Sequence, residues 1–349
     1  MNAVPVEVIL ELAARHALVG IQIARHLEGQ FDCYFSQIFS SNPAFGLVLR
    51  SGILNRTIFT GEIKLKADKY LAENNLKNDY RGKVYQNSYD LVVACTDMIL
   101  PKSLKNVKTI WIQEGMIDGY NLLARIVKAL KLPRYFAMST ALNGSANICD
   151  IYCAASEGYK NYISSKGTDA GKIAVTGIPN YDNLKQYRYN DFPYQDYVLV
   201  ATSDIRETFR FEDRVQFIKK AVEIANGRPI VFKLHPNEKR ERAVAEIEAH
   251  APAGTLIYTE GNTNHMIANC CELITQYSTV VFVGLVLGKK VHSYFDLDEL
   301  KRLTPLQNDG TSAEAIADIC RNFILYRGSG VKFLRDYNRT LSLCEEHIE

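Results

Sequence analysis

Apolar residues recur along this chain at two spacings, and their alternation sets out its elements. The run from Val4 to Leu12 is nearly continuous and predicts a strand. Leu18, Ile21, Ala24 and Leu27 then fall three and four apart, predicting a helix over Ala17 to Leu27, and Phe31 to Phe35 predicts a second strand. Strand, helix and strand joined this closely belong to a parallel sheet. Residues 43 to 84 are rich in Lys and Asn and are expected to hold helices of less certain extent. Further strands are expected at Tyr89 to Cys95, Lys108 to Gln113, Ile148 to Ala154 and Lys172 to Val175.

Residues 183 to 196 break the rhythm. They are Tyr-rich, full of turn formers and without a period, which suits a linker. A second cycle follows. Strands are predicted at Tyr197 to Thr202, Pro229 to Leu234, Thr255 to Tyr258, Glu272 to Thr275 and Lys290 to Phe295. Helices are predicted between them at Phe211 to Ala225, Glu238 to Ala249, Ile267 to Cys271 (a short turn) and Ser278 to Leu287. The expected fold is α/β, with two tandem Rossmann-like, doubly wound parallel-sheet domains at 1–190 and 197–330. The segment 331–349 carries Leu334, Tyr337, Leu341, Cys344 and Ile348 at helical spacing, an amphipathic helix that needs a partner surface. That helix is expected to cross back to the first domain.

Composition narrows the function. A chain of 349 residues suits two ordinary domains, and 41 Lys+Arg against 39 Asp+Glu leave a formal charge of +2. No nucleic-acid partner is expected, because such proteins need a clear cationic excess. The 8 cysteines form no C-x-x-C pair or zinc spacing, so they are expected to be reduced core thiols, with no metal and no cofactor. No basic-then-apolar leader and no window of about 20 apolar residues is present. The expected location is cytoplasmic, with any membrane contact peripheral, at the inner face.

Ligands in open parallel sheets sit beyond the carboxyl ends of the strands, so polar residues there are the candidates. His235, after the strand ending at Leu234, is followed by Pro236, which biases His235 to an extended conformation. An imidazole held there can donate to a phosphate oxygen or protonate a leaving group. Ser278 and Thr279 precede a helix, where hydroxyls and backbone N–H groups either cap the helix or bind an anion. Thr202, Ser203 and Arg206 follow the first strand of the second half, and the Arg206 fork could meet a phosphate. Glu114, before Gly115, suits a base reaching an acceptor hydroxyl. Asp118 and His16 are secondary candidates on the acceptor side.

In this order the clusters resemble GT-B transferases of bacterial surface polymers. The runs are Thr176-Gly-Ile-Pro-Asn-Tyr-Asp182, Lys233-Leu-His235-Pro, Thr275-Gln-Tyr-Ser278-Thr279 and Lys290-Val-His-Ser-Tyr-Phe-Asp296. They are similar to motifs of CDP-glycerol glycerophosphotransferases, bacterial sialyltransferases and capsule Kdo transferases, although Gln276 stands where the first family carries Asp. The resemblance implies a GT-B glycosyltransferase that moves a sugar from a nucleotide donor, cytidine-linked for preference, to a glycan or lipid-linked acceptor. It assigns catalysis to Glu114 with His235, and donor phosphate contacts to His235, Ser278 and Thr279. The competing expectations are a UDP-N-acetylglucosamine 2-epimerase, a CDP-polyol phosphotransferase and a non-catalytic nucleotide-binding partner.

Overall fold

The computed structural model describes residues 6–11, 17–36, 62–79, 89–95, 107–132, 134–137, 139–208 and 211–345. The chain forms two compact units, Met1–Asp182 with Pro305–Glu349, and Asn183–Thr304.

Among the described residues, seven strands build the first unit: β1 (Val6–Glu11), β2 (Phe31–Ser36), β3 (Lys77–Asn78), β4 (Leu91–Ala94), β5 (Lys108–Ile112), β6 (Ile151–Ala154) and β7 (Ile173–Val175). Their order is β3-β2-β1-β4-β5-β6-β7, and every pair is parallel. The order reverses between β1 and β4, which is the switch point of a doubly wound sheet. Helices α1 (Ala17–Leu27), α2 (Glu62–Glu73), α3 (Leu122–Ala129) and α4 (Glu157–Lys166) accompany it. Strands β4 and β6 are buried at every position, as parallel strands covered on both faces must be.

The second unit repeats the plan with β8 (Val198–Ala201), β9 (Ile230–Lys233), β10 (Leu256–Tyr258), β11 (Glu272–Thr275) and β12 (Lys290–His292). Their order is β10-β9-β8-β11-β12, all parallel, with the switch point between β8 and β11. Its helices are α5 (Arg214–Ala225), α6 (Arg240–His250), α7 (Thr263–Asn269), α8 (Val280–Val286) and α9 (Leu297–Leu303). Gly284 of α8 lies so close to the sheet that a Cβ would meet Leu273 at 2.8 Å and Val291 at 2.9 Å. The last two helices, α10 (Ser312–Leu325) and α11 (Gly330–Glu345), belong to the first unit.

The return to the first unit starts earlier than expected. It begins at Pro305 rather than near 331, because Ile316, Ala317, Cys320 and Phe323 of α10 share one core with Ile23 and Leu27 of α1 and with β4 to β6. Lys108, at the start of β5, holds the far end of α10. Its Nζ donates to the carbonyls of Phe323, Ile324 and Tyr326 at 2.7, 2.6 and 2.8 Å, capping the negative end of the helix dipole. Of the α11 stripe, Phe333 and Leu334 are buried and Tyr337 packs against the core, but Leu341 is exposed. Ile348 lies outside the described residues.

The expected linker is folded onto the second unit. Asn269 Nδ2 donates to the carbonyls of Phe192 and Tyr194, and the Phe192 ring contacts Tyr194, Tyr197 and Tyr258. The helix expected from Phe211 starts at Arg214, where Asp213 caps it, and Phe211 is exposed. Of the helices expected within 43–84, α2 lies in the described residues. Cys95, Cys149, Cys153, Cys270 and Cys320 are buried and in no disulfide, and burial pushes the thiols of Cys153 and Cys270 up to about 12. No helix among the described residues is long and apolar enough to cross a membrane.

Candidate functional site

Ala201, Lys233 and Thr275 are level across β8, β9 and β11, so the loops after these three adjacent strands leave the sheet together. Three of the four sequence clusters therefore meet at the carboxyl edge, beside the switch point of the second unit. A cavity of about 320 Å³ opens on the β9 side of this edge, between the segments that follow β9 and β10, lined by Lys233, His235, Pro236, Arg240, Thr259 and Glu260 among others.

Glu238, which closes the His235 cluster in the sequence without a role assigned to it there, organises this edge. Its Oε2 accepts the His235 backbone N–H at 2.8 Å and the Thr202 hydroxyl, and its Oε1 accepts Arg214 Nη2 at 2.6 Å. Arg214 is buried and also donates to both oxygens of Glu212 and to the Ser203 carbonyl. Glu212 in turn accepts Gln276 Nε2 at 2.6 Å, and Gln276 Oε1 accepts the Ser203 hydroxyl at 2.8 Å. The chain of contacts thus ties the 202, 235 and 276 loops into one frame. Removing one partner of such a buried pair typically costs about 3–5 kcal/mol, because the other charge is left uncompensated. The signal for it in the sequence was His235-x-x-Glu238, a carboxylate three residues on that can reach back to the histidine N–H.

His235 is half-buried on the cavity wall. Its Nδ1 accepts the Asn237 backbone N–H at 3.2 Å, which leaves the neutral ring's proton on Nε2, a donor for an anion. The Asp204 carboxylate stands 3.7 Å from Nδ1 and is itself held by Asn237 Nδ2 at 2.7 Å. Lys233 is buried beside it, and that burial lowers its pKa, with Glu238 partly opposing the shift.

Other candidates occupy different roles. Arg206, expected to offer its fork to a phosphate, instead makes a bidentate pair with Glu246 at 2.8 and 2.7 Å and reaches Glu212 at 3.3 Å. It braces the loop against α6. Thr202 and Ser203 are buried in the frame behind the cavity. Ser278 is half-buried and Thr279 exposed, outside the cavity lining; Thr279 sits at the N-cap of α8 without a side-chain cap hydrogen bond.

In the first unit, Glu114 follows β5 as expected and is half-buried. Gln113 fixes this turn: its Nε2 donates to the Gly115 carbonyl at 2.8 Å, and its Oε1 accepts the Ala155 N–H at 2.9 Å. A Cβ added at Gly115 would meet nothing within 4 Å, so the turn is open on that side. Asp118 has its carboxylate on the Thr140 hydroxyl at 2.9 Å and on the Thr140 N–H, which makes it a brace of its own loop. His16 lies outside the described residues.

The run Gly177 to Asp182 also proves to be a brace. Asp182 Oδ2 accepts the Ser312 N–H at 2.9 Å at the start of α10, and its carbonyl accepts the Asn308 N–H. Gly177, at φ 72°, sits where any Cβ would strike the Ser312 hydroxyl.

No family model matches the chain, and no curated protein sequence does. Solved structures do. A UDP-GlcNAc 2-epimerase from Neisseria meningitidis, bound to UDP-GlcNAc, is 12% identical with TM-score 0.54, covering 91% of this chain and 100% of its own. A Listeria monocytogenes protein provisionally designated a UDP-N-acetylglucosamine 2-epimerase is 14% identical with TM-score 0.57, covering 93% and 98%. The wall teichoic acid polymerase TagF is 12% identical with TM-score 0.50, covering 91% and 88%. The fold is the two-domain, Rossmann-like GT-B type.

Proposed function

We propose that this chain is a nucleotide-sugar enzyme of surface-polymer synthesis that binds its donor nucleotide in the second unit, at the carboxyl ends of β9 and β10. The observation that carries this reading is the cavity walled by His235, Lys233 and Arg240, at the strand ends where doubly wound sheets take their ligands. His235 Nε2–H would donate to a phosphate oxygen, and in its imidazolium form the same nitrogen would give a proton to the departing phosphate and return to the neutral ring. The Glu238 frame holds the histidine backbone in place, so the donor meets a preformed edge.

Transfer of the sugar to a glycan or lipid-linked acceptor is the reaction favoured here, with Glu114 as the carboxylate that deprotonates the acceptor hydroxyl. The motif resemblance favours a cytidine-linked donor. A second reading, 2-epimerisation of a UDP-sugar, draws support from the names of the structural relatives, of which the Neisseria meningitidis enzyme was solved with UDP-GlcNAc bound. Such an epimerase turns over without an acceptor.

A thermal-shift panel of cytidine and uridine nucleotides tests the donor site, since a ligand at 100 times its Kd stabilises by about 2.7 kcal/mol. His235→Ala should then weaken binding of the selected nucleotide by roughly 1.5–3 kcal/mol in calorimetry, the worth of a charge-assisted hydrogen bond. Unchanged affinity in this variant would remove His235 from the donor site. Incubation of UDP-GlcNAc alone separates the two reactions: C2 inversion without acceptor would establish the epimerase and end the transferase reading.

A further inference from the structure

Helix α3 packs the wrong way round for a helix that serves only the core. Its small residues face inward: Ala124 and Val127 are buried with Ala137, Ala141 and Leu142. Its large ones face out, with Leu122, Leu123, Ile126 and Leu130 exposed at 75, 43, 43 and 66%. An ordinary surface helix does the reverse. At roughly 100° per residue, these four fall in one arc about 100° wide, and Arg125 and Lys128 lie together on another side. Leu132 and Phe136, just beyond the helix, are exposed apolar residues as well.

The helix end adds a second observation. Leu132 N–H donates to the Val127 carbonyl at 3.0 Å and Lys131 N–H to the Lys128 carbonyl at 3.3 Å, with Lys131 at φ 52°. This closing turn favours glycine, and a residue with a Cβ adopts it under strain. A lysine there sets one more exposed cation beside Leu130. From residue 119 to residue 149 the chain carries Arg125, Lys128, Lys131 and Arg134 and no Asp or Glu.

We propose that α3 and its closing turn dock the protein on an anionic lipid bilayer, with the Leu122/Leu123/Ile126/Leu130 arc in the acyl boundary and Arg125 and Lys131 among the headgroups, while Lys128 is held by Tyr120 and the Lys166 carbonyl. Exposed apolar and cationic sectors on one helix are the composition of an interfacial segment. Charge decides between occupants. A second copy using the same patch in a two-fold contact would bring these cations against themselves, whereas anionic headgroups complement them. The Glu114 loop runs directly into α3 through its N-cap Asn121, whose Oδ1 accepts the Ala124 N–H at 2.7 Å. A docked helix therefore brings that loop to the lipid surface. The proposal is independent of the nucleotide site, which lies in the other unit.

The test is sedimentation of the full chain with vesicles of phosphatidylcholine, alone or mixed with phosphatidylglycerol. Binding is expected to the mixed vesicles only, and to fall with added salt. The combined Leu122→Ser, Ile126→Ser and Leu130→Ser variant should lose it. Arg125→Gln with Lys131→Gly should weaken it by about tenfold or more. Lys131→Gly relieves the turn, so this variant should keep the wild-type Tm or exceed it, separating lost binding from lost folding. Absence of binding, equal binding to neutral vesicles, or binding that survives both variants would overturn the proposal. So would a lipid-free dimer in light scattering that the serine variant returns to monomer, since a second copy would then cover the arc.

Discussion

Glu114 and His235 stand out as candidates through their immediate surroundings in the chain. Each ends an apolar strand, and each is followed by a residue that shapes the backbone, Gly115 or Pro236. Arg206 is the opposite case, with its fork paired inside the protein. Its partner Glu246 lies 40 positions away on α6, and no local pattern reports such a pair. The roles of Glu238, Arg214 and Gln276 were missed because buried polar frames are made by tertiary contacts between ordinary-looking residues. The Asp182 motif was legible as a motif, but its work is to hold the start of α10. For Glu114, the Gln113 bonds fix the turn while Gly115 leaves it open, an arrangement that suits a base with an incoming hydroxyl. General-base catalysis contributes about 10²–10⁴-fold. Glu114→Gln is therefore expected to lower kcat by that factor, with nucleotide affinity in calorimetry unchanged. A loss of affinity with kcat retained would make Glu114 a binding group instead.

At the scale of elements, the strands were the most legible part. β11 runs over the expected residues, and the other expected strands differ mainly at their ends, because buried parallel strands are short unbroken apolar runs; β3, polar and exposed, lies where helices were expected. Helix limits were harder, as a cap such as Asp213 can start a helix three residues inside an apolar pattern. The lower end of β11, away from the ligand edge, carries an element-scale ion cluster. Glu272 is buried there with Arg228 at 2.6 Å, Lys290 at 2.7 Å and His292 at 2.5 Å. Burial alone would raise its pKa, but hydrogen bonds from His292, Lys290 and Arg228 overcome that and hold it at about 2, against an ordinary 4.5. A carboxyl held low stabilises the fold above its unfolded pKa and loses that contribution as pH falls through the folded one. The gap in Tm between wild type and Glu272→Gln should thus be widest above pH 4.5 and close towards pH 2. A gap constant across that window would mean the cluster does not couple to folding.

For the whole molecule, alternation along the sequence revealed two sheets, and the amphipathic pattern after 331 revealed a helix in need of a partner. Neither showed that α10 also belongs with the first unit, since its stripe of Ile316, Cys320 and Phe323 fits any apolar surface. Tertiary packing settled it. The consequence is an unequal division of self-sufficiency. Residues 183–304 contain their complete sheet, their own core around Ile218, Phe232 and Ile247, and every member of the Glu238 frame. The first unit instead draws core residues from both ends of the chain, and each large apolar side chain buried from α10 and α11 contributes about 1.5–3 kcal/mol. Ile316, Ile319, Phe323, Phe333 and Leu334 together exceed half the stability of an ordinary domain, about 5–15 kcal/mol. A fragment of residues 183–304 is therefore expected to melt cooperatively and to keep the nucleotide affinity of the full chain. A chain ending at residue 304 should keep that transition and lose the one belonging to the first unit, read by calorimetry as a single remaining peak. If 183–304 failed to fold while 1–304 melted like the full protein, the core shared by α1 and α10 would not be what holds the first unit together.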